Sequence, residues 1–444
     1  MPACRSRHAS VLNLLPRAIY FSLSRSVSVQ AERKPATTLP RTEPADESSF
    51  LSLINLEEPP MSQDPLERFN REKYGQVVLV LQGGGALGAY QAGVYQAMHE
   101  AGLRPDWVIG TSIGAINASL IAGNRPENRL RALREFWRRI QYNDVAHWMS
   151  RLPGNGAMLA SSMTMLGGVP GFFKPNPFAW MGVHAPLGPE SASFYDTTPL
   201  ARTLADLVDP VALNSGAPRL TVGAAKVSNA DMHYFDSRDT RLDLRHVLAS
   251  GALPPAFPAV RIDGELYWDG GILSNTPVEA VFDDKPRRNG LVFAVHIWNP
   301  NGPEPNSVWD VMNRQKDLQY SSRSLSHIHR QQQIHKLRHI IGELAGKLPA
   351  ELAADPAVRE MTAYGCLTRM HVVRLMAPTL KGESHLKDID FSPDGIAARW
   401  DAGYRETLKV LDAAPWTAPV TDPLDGFILH EAQADEMVAA PAKP

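Results

Sequence analysis

Cysteine is nearly absent from this chain, with Cys4 and Cys366 the two thiols among 444 residues. Two thiols exclude a disulfide-stabilised scaffold and indicate a reducing compartment, so we expect a cytoplasmic protein. No run of 18 apolar residues occurs, which argues against a membrane-spanning helix. Cys and His do not cluster at the spacing of a zinc site, and the sequence gives no reason to expect a metal or another cofactor.

A strong charge of either sign is also missing. The formal net charge of -2 gives no reason to expect nucleic acid as a partner, and oligomeric state is left open. Met1 to Arg41 carries seven Lys or Arg and one acidic residue, but no clean signal-peptide core. We therefore interpret residues 1–60 as a disordered leader or a mis-assigned start, with translation beginning at Met61.

The most informative segment that is present is Gly110-Thr111-Ser112-Ile113-Gly114. It follows the apolar run 107–109 and precedes a helix-prone, Ala-rich stretch. A Gly-x-Ser-x-Gly between a strand and a helix is typical of a nucleophile elbow, where the glycines allow close approach around an exposed serine. A Gly/Ser turn without chemistry fits this short pattern about equally well.

A second glycine segment, Gln82-Gly83-Gly84-Gly85-Ala86-Leu87-Gly88, follows the predicted strand 76–81. Consecutive glycines present several backbone N–H groups in one turn, which suits either an oxyanion or a pyrophosphate. The dinucleotide fingerprint requires an acidic residue at the end of the second strand, and Asp106 would lie at the wrong end. The sequence therefore favours acyl transfer over nucleotide binding.

The third element is Asp269-Gly270-Gly271, which follows the predicted strand 266–268. That strand should emerge from a hairpin turn at Asp263-Gly264. Asp269 would then lie at a strand end, where two glycines let the backbone fold away from its carboxylate. An Asp-Gly-Gly turn alone carries little weight, but the three elements together are far more specific.

In this order, the loop 83–88, the elbow 110–114 and Asp269-Gly270-Gly271 resemble the patatin-like phospholipase family. The stretch 249–258, Ala-Ser-Gly-Ala-Leu-Pro-Pro-Ala-Phe-Pro, is also similar to that family. The resemblance covers roughly Tyr74 to Asp283. The following part, from Gly290 to about Leu411, looks like the extension found in one bacterial subgroup.

The resemblance implies a serine acyl hydrolase with a Ser-Asp dyad. Ser112 would be the nucleophile, Asp269 the general base, and the N–H groups of Gly83, Gly84 and Gly85 the oxyanion hole. Gly88, Gly110, Gly114, Gly270 and Gly271 support these motifs. Many relatives carry Arg or Lys before the last glycine of the loop, whereas this chain has Leu87, so the hole must depend on backbone donors.

A carboxylate base poses a physical problem, because free Asp titrates near pH ~3.9. The dyad requires Asp269 to be partly desolvated and hydrogen-bonded to Ser112. The alternative is a Ser-His-Asp triad using one of 14 histidines, such as His296, His233 or His246. None of these has the context of a base, and the dyad is preferred.

The resemblance also implies a fold, a three-layer α/β/α patatin-like sandwich around a central, mainly parallel sheet. Strands are expected near Val77, Val108, Leu220, Leu266, Leu291 and His371. Residues 74–283 would form the catalytic domain. Residues 284–414 would be an extension that continues the α/β core, and the Pro/Ala-rich residues 415–444 a loosely ordered tail.

Two regions bear on the substrate. Residues 152–189 have Lys174 as their one full charge and are rich in Gly, Pro, Met and Phe. This composition predicts a long irregular flap, which would be either a lid that binds acyl chains or an insertion that packs on the core without a function. Residues 314–339 hold six Lys or Arg and four His on an amphipathic helix. That helix would contact an anionic membrane surface or pack on the core with its charges in solvent.

The predicted function is hydrolysis of a lipid ester through an acyl-Ser112 intermediate. Three rivals are open: an acyltransferase or thioesterase with the same dyad, a nucleotide-binding protein, and a lipid-binding protein without turnover. The expected partners are a lipid or acyl-ester substrate and, as an open expectation, a membrane surface contacted peripherally.

Overall fold

The computed structural model describes residues 71–142, 156–182, 184–380, 383, 385–420 and 422–431. These residues belong to one compact unit, Leu51–Pro444. The predicted leader 1–60 and the proposed start at Met61 lie outside the described residues.

The strands alternate their side chains between two separate cores. They are β1 Gln76–Leu81, β2 Trp107–Thr111, β3 Lys174–Pro175, β4 Tyr195–Asp196, β5 Arg219–Lys226, β6 Met232–Asp236, β7 Val260–Ile262, β8 Glu265–Asp269, β9 Gly290–His296, β10 Met370–Met376 and β11 Phe427–Glu431. In β1, Val77, Leu79 and Leu81 belong to one core, whereas Val78 and Val80 belong to the other. A strand buried on both faces explains the unbroken apolar run in the sequence.

Nine of these strands form one mixed sheet in the order β11-β10-β9-β1-β2-β5-β8-β7, with β6 also pairing with β5. The neighbours from β11 to β5 are parallel, and β6, β7 and β8 pair in antiparallel fashion. All six predicted strands are present in this sheet. β3 and β4 form a separate antiparallel pair.

Helices cover both faces of the sheet. They are α1 Arg71–Tyr74, α2 Ala89–Glu100, α3 Ile113–Ala122, α4 Pro126–Arg139, α5 Gly156–Gly167, α6 Thr198–Leu207, α7 Pro210–Leu213, α8 Leu244–Ser250, α9 Glu279–Phe282, α10 Val308–Ala345, α11 Ala350–Ala354, α12 Pro356–Thr362 and α13 Pro393–Ala413. The larger core contains residues of α2, α3, α4 and α13, and the smaller core contains residues of α9 and α10. The predicted three-layer α/β/α fold is confirmed.

Two predictions about irregular segments were wrong in part. The flap contains helix α5, because residues 157–166 carry neither Gly nor Pro and fit between two glycines. The tail contributes β11, which pairs in parallel with β10 and packs Phe427 on Phe282 with ring centroids 4.9 Å apart. The sequence did not predict this strand, because its short apolar run is surrounded by Pro/Ala-rich residues. No helix in the described part of the chain combines the length and apolar character needed to cross a bilayer.

Candidate active site

Ser112 occupies a sharp turn between β2 and α3, with φ of 56° and ψ of -125°. This backbone region is costly for any residue except glycine, and such strain often accompanies function. The Ser112 N–H donates to Oγ of Ser250 at 3.0 Å and to its carbonyl oxygen at 3.1 Å. A Cβ atom at Gly110 would lie 2.3 Å from the Gly114 carbonyl oxygen, so the elbow requires a glycine there. The sharp strand-to-helix turn that the sequence predicts around Ser112 is therefore present.

The glycine loop leaves the carboxyl end of β1, beside the elbow at the end of β2. Gly84 and Gly85 line the cavity at Ser112, and within the described residues their N–H groups have no acceptor. The Gly83 N–H instead donates to the carbonyl oxygen of Asn275 at 3.1 Å. Gly83 is thus removed from the predicted set of oxyanion donors, because its hydrogen is already used.

Gly85 shows why the loop needs glycine. Its φ is 57°, and a Cβ atom there would lie 2.2 Å from the carbonyl oxygen of Asp388. The following turn, Gly85–Gly88, leads directly into α2. Leu87 is buried in the larger core. Neither Lys nor Arg occurs among the described residues that line the cavity.

Asp269 ends β8, which follows the predicted Asp263-Gly264 hairpin from β7. Its side chain is 1% exposed, and Oδ1 accepts the Gly271 N–H at 2.7 Å. Ser112 lines the same cavity, and its side chain is a second polar group that acts on this carboxylate. Burial raises the pKa of Asp269 to about 6, although the Ser112 side chain and the Gly271 N–H act to lower it. A base of this pKa is half ionised at about pH 6 and mostly ionised at pH 7.

Ser112, Asp269 and the glycine loop share one cavity of about 170 Å³. Its walls are mainly apolar and come from separate segments of the chain: Ile116, Phe172, Phe173, Leu200, Leu248, Leu253, Phe257 and Phe391. Phe172 and Phe173 belong to the predicted flap, and their rings pack against Phe257 at centroid distances of 6.1 and 5.3 Å. An apolar cavity with a few convergent polar groups is suited to an acyl chain.

The histidines considered for a triad lie elsewhere. His296 ends β9, is buried away from the cavity lining, and its pKa is lowered to about 3, first by burial and then by the charge of Arg374. His233 lies on β6 beside Phe235. His246 completes a capping box at the start of α8. None of the three contacts Ser112 through a hydrogen bond.

The position of Asp106 argues against the alternative that the glycine loop binds a dinucleotide. Asp106 precedes β2, and its Oδ2 accepts the N–H of Val77 at 2.8 Å, at the amino end of the sheet. The glycine loop follows the carboxyl end of β1. Asp106, the acidic residue that would bind a ribose, therefore lies at the end of the sheet opposite to the glycine loop.

Helix α10 matches the predicted basic helix, but several of its cations are used within the protein. Lys316 pairs with Asp388 at 2.7 Å, and Lys336 pairs with Asp422 and Asp425 at 2.9 Å each. His335 and His339 are buried. This arrangement favours the alternative in which the helix packs on the core.

Sequence reasoning missed the polar side chains that support the two glycine-rich turns. Asn275 and the Trp298 indole both contact the Gly83 carbonyl oxygen, and Ser250 holds the elbow. Ser250 lies in the stretch 249–258 that resembles the family. Trp298 and Asn275 carried no separate signal, because an isolated buried Trp or Asn has no spacing pattern.

Comparisons with known proteins find relatives of the same family that the glycine loop, the elbow and Asp269-Gly270-Gly271 resemble. A family model described as patatin-like phospholipase matches residues 79–282, and another described as patatin phospholipase matches residues 318–422. Triacylglycerol lipase ptl3 of Schizosaccharomyces pombe is 40% identical over 91 residues, covering 20% of this chain and 19% of that protein. Lysophospholipase NTE1 of Candida glabrata is 24% identical over 318 residues, covering 68% of this chain and 16% of that protein.

The chain thus spans less than a fifth of the length of these two relatives. A solved structure that also matches is VipD from Legionella pneumophila, at 17% identity and a TM-score of 0.36. That match covers 80% of this chain and 72% of the VipD chain.

Proposed function

Since this chain belongs to the patatin-like phospholipase family, we propose that it hydrolyses a carboxylic ester of a lipid through Ser112 and Asp269. One observation carries the proposal. Ser112 shares an apolar cavity with the buried carboxylate of Asp269, whose pKa is about 6, and the N–H groups of Gly84 and Gly85 on that cavity have no acceptor among the described residues. The proposed site therefore combines a nucleophile, a base and an oxyanion site.

In the first half-reaction, Ser112 Oγ attacks the ester carbonyl carbon while its proton moves to the Asp269 carboxylate. The N–H groups of Gly84 and Gly85 donate to the developing oxyanion, where losing one such donor typically costs about 2.7–4 kcal/mol of barrier. Collapse of the tetrahedral intermediate breaks the ester C–O bond. The leaving alkoxide takes the proton from Asp269 and departs as the alcohol.

In the second half-reaction, Asp269 removes a proton from water, which attacks the acyl carbonyl of acyl-Ser112. Collapse of this second intermediate breaks the bond between Ser112 Oγ and the acyl carbon. Asp269 returns its proton to Oγ, and the fatty acid leaves. One carboxylate thus moves both protons, so no histidine is needed.

The names of the relatives, a triacylglycerol lipase and a lysophospholipase, suggest glyceride or lysophospholipid esters as substrates. The aromatic wall of the cavity supports a substrate with an acyl chain. A nucleotide is disfavoured because the described part of the cavity lining contains no cation to meet phosphate charge.

Peripheral contact with a lipid surface is part of the proposal, and α5 supports it. This helix buries Thr164 against the cavity while leaving Leu166 62% exposed on its outer side. Phe178 is 60% exposed in the segment whose Asn176 N–H donates to the carbonyl oxygen of Phe194. The next residue, Tyr195 of β4, donates its hydroxyl to the Met165 carbonyl oxygen of α5 at 2.7 Å. We call Leu159, Met163, Met165, Leu166, Phe178 and Phe194 the apolar rim. This rim suits an uncharged lipid surface.

Release of fatty acid from a panel of esters tests the proposed function. Phosphatidylcholine, lysophosphatidylcholine and triacylglycerol should be offered to the wild-type protein and to Ser112→Ala. We expect release of fatty acid from at least one of these lipids and none with the variant. Equal release by both proteins would contradict the proposal, and transfer of the acyl group to an added alcohol in preference to water would assign acyl transfer.

A further inference from the structure

We propose that Trp298 and Asn275 are positioning residues that orient the Gly83–Gly84 peptide so that the Gly84 N–H faces the oxyanion. This inference rests on the proposed function and names residues of the same site. Neither side chain is expected to touch the reacting atoms. Both act on the carbonyl group that precedes the donor.

Three hydrogen bonds converge on Gly83. Its carbonyl oxygen accepts the Trp298 Nε1–H at 2.8 Å and the Asn275 Nδ2–H at 3.1 Å. Its N–H donates to the Asn275 carbonyl oxygen at 3.1 Å. Trp298 and Asn275 are both buried, so these bonds are shielded from water. Gly83 is therefore fixed from both sides of its Cα atom.

The orientation of the next N–H follows from peptide geometry. A trans peptide is planar, and its C=O and N–H bonds point in opposite directions. With the Gly83 carbonyl directed at Trp298 and Asn275, the Gly84 N–H must point away from them. Gly84 lines the cavity with Ser112, so this N–H is available on the side where an oxyanion forms.

The Trp298 indole is itself held in place. Gln82 Oε1 accepts the backbone N–H groups of Ile297 and Trp298 at 2.6 and 3.1 Å. The ring of Tyr320 stacks on the indole with centroids 4.8 Å apart. A Cβ atom at Gly84 would lie 2.6 Å from Nε1, so the loop packs directly against the indole.

Further support for the loop comes, as Trp298 does, from beyond residue 282. The Asp388 carbonyl oxygen packs against Gly85, and Lys316 pairs with the Asp388 side chain. Lys387 pairs with Asp317 at 2.6 Å, with side chains only 5% and 11% exposed. These pairs fix the turn Lys387–Ile389 against α10. The extension thus does more than widen the sheet, because it orients a donor of the active site.

Trp298→Phe is the sharpest test, because it keeps an aromatic ring against Tyr320 while it removes the indole N–H together with part of the ring. Trp107→Phe is the matched control. The Trp107 indole is equally buried and donates to Thr221 Oγ1 at 2.7 Å, but it lies at the amino end of β2. Both variants should lose similar thermal stability. The kinetic readouts should differ.

We expect Trp298→Phe to lower kcat about 10- to 100-fold with little change in KM, because misplacement of a catalytic group by ~1 Å can cost 10²-fold. The pH midpoint of kcat/KM should not move, since Asp269 keeps its surroundings. A shifted midpoint would indicate general disruption of the site and would overturn the positioning role. Trp107→Phe should retain the wild-type kcat.

Asn275→Ala provides an independent variant if Trp298→Phe does not fold. It should also lower kcat at constant KM, and the double variant should approach the 10²- to 10³-fold loss of a missing oxyanion donor. Wild-type kcat in both single variants, with an active wild-type protein, would overturn the inference alone. A wild-type protein without any esterase activity would overturn the proposed function and this inference with it.

Discussion

Asp269 and Ser112 line the same cavity although the two residues lie at the ends of different strands. Ser112 follows β2, which pairs with β5, and Asp269 ends β8 on the other side of β5. The Ser112 N–H is tied to Ser250, and the Asp269 carboxylate to the Gly271 N–H. Each residue of the pair is therefore held by its own turn, and the two turns fix the position of one side chain relative to the other.

The rate of ester hydrolysis should rise as pH increases through about 6. Only the ionised form of Asp269 can accept the Ser112 proton, and burial raises its pKa to about 6. We expect kcat/KM to fall about tenfold for each pH unit below the midpoint and to be flat from pH 7 to 8. A profile measured with a soluble, non-ionisable ester checks this. A midpoint near pH ~4, typical of free Asp, would contradict the assigned environment.

Asp269→Asn should abolish most activity and increase stability at neutral pH. Between pH ~4 and ~6 the folded protein retains a proton on Asp269 that the unfolded chain has lost, so wild-type stability falls as pH rises through this window. A neutral amide removes that cost. We expect a 10²- to 10⁴-fold lower kcat and a gain on the order of 2 kcal/mol at pH 8.

Urea unfolding of wild type and Asp269→Asn at pH 4 and pH 8 measures this stability difference. The gain should shrink at pH 4, where Asp269 is protonated in the folded protein. A gain that is the same at both pH values would argue against a buried carboxylate.

Ser112→Gly should be more stable than Ser112→Ala, although both lack the nucleophile. The φ of 56° and ψ of -125° suit glycine, and strain of this kind costs about 1–3 kcal/mol for other residues. Glycine loses about 0.5–1 kcal/mol through the entropy of the unfolded chain. We expect a net advantage of about 1 kcal/mol by urea unfolding, with no activity in either variant. Equal stability would show that the elbow is not strained.

The apolar rim should govern activity on lipid surfaces and not on soluble esters. Replacing Leu166 and Phe178 by Ser removes exposed apolar area, and burying one such side chain is worth up to about 1.5–3 kcal/mol. We expect at least ~10-fold weaker binding to phosphatidylcholine vesicles, unaffected by salt, with unchanged kcat/KM on a short soluble ester.

Val211→Ser is the control for the rim, because Val211 is 76% exposed on α7 and does not line the cavity. It should leave vesicle binding at the wild-type level. Vesicle binding that requires anionic lipid and weakens with salt would assign the contact to charged residues such as those of α10.

The sequence predicted the elements that depend on local pattern. Val77 to Leu81 reads as a buried strand because both faces are covered, and Asp263-Gly264 reads as a hairpin turn because both residues adopt positive φ. The glycine patterns likewise marked the loop and the elbow. Such features depend on a few neighbouring residues, so they are visible before the fold is known.

Features that depend on distant contacts were not predictable. The glycine pattern predicts an oxyanion donor at Gly83, but the Gly83 N–H donates to the carbonyl oxygen of Asn275, 192 residues away in sequence. Trp298 contacts the same glycine from the extension. Strand β11 is stabilised by pairing with β10 across the sheet, which the composition of the tail does not reveal. Long-range packing decided each of these cases.

Covalent labelling with a fluorophosphonate probe, followed by peptide mapping, tests the central claim most directly. The account predicts that one probe molecule attaches to Ser112 in the wild-type protein. It further predicts that Asp269→Asn is labelled much more slowly and Ser112→Ala not at all. Absence of labelling in a folded wild-type protein, or attachment to a serine other than Ser112, would contradict the account.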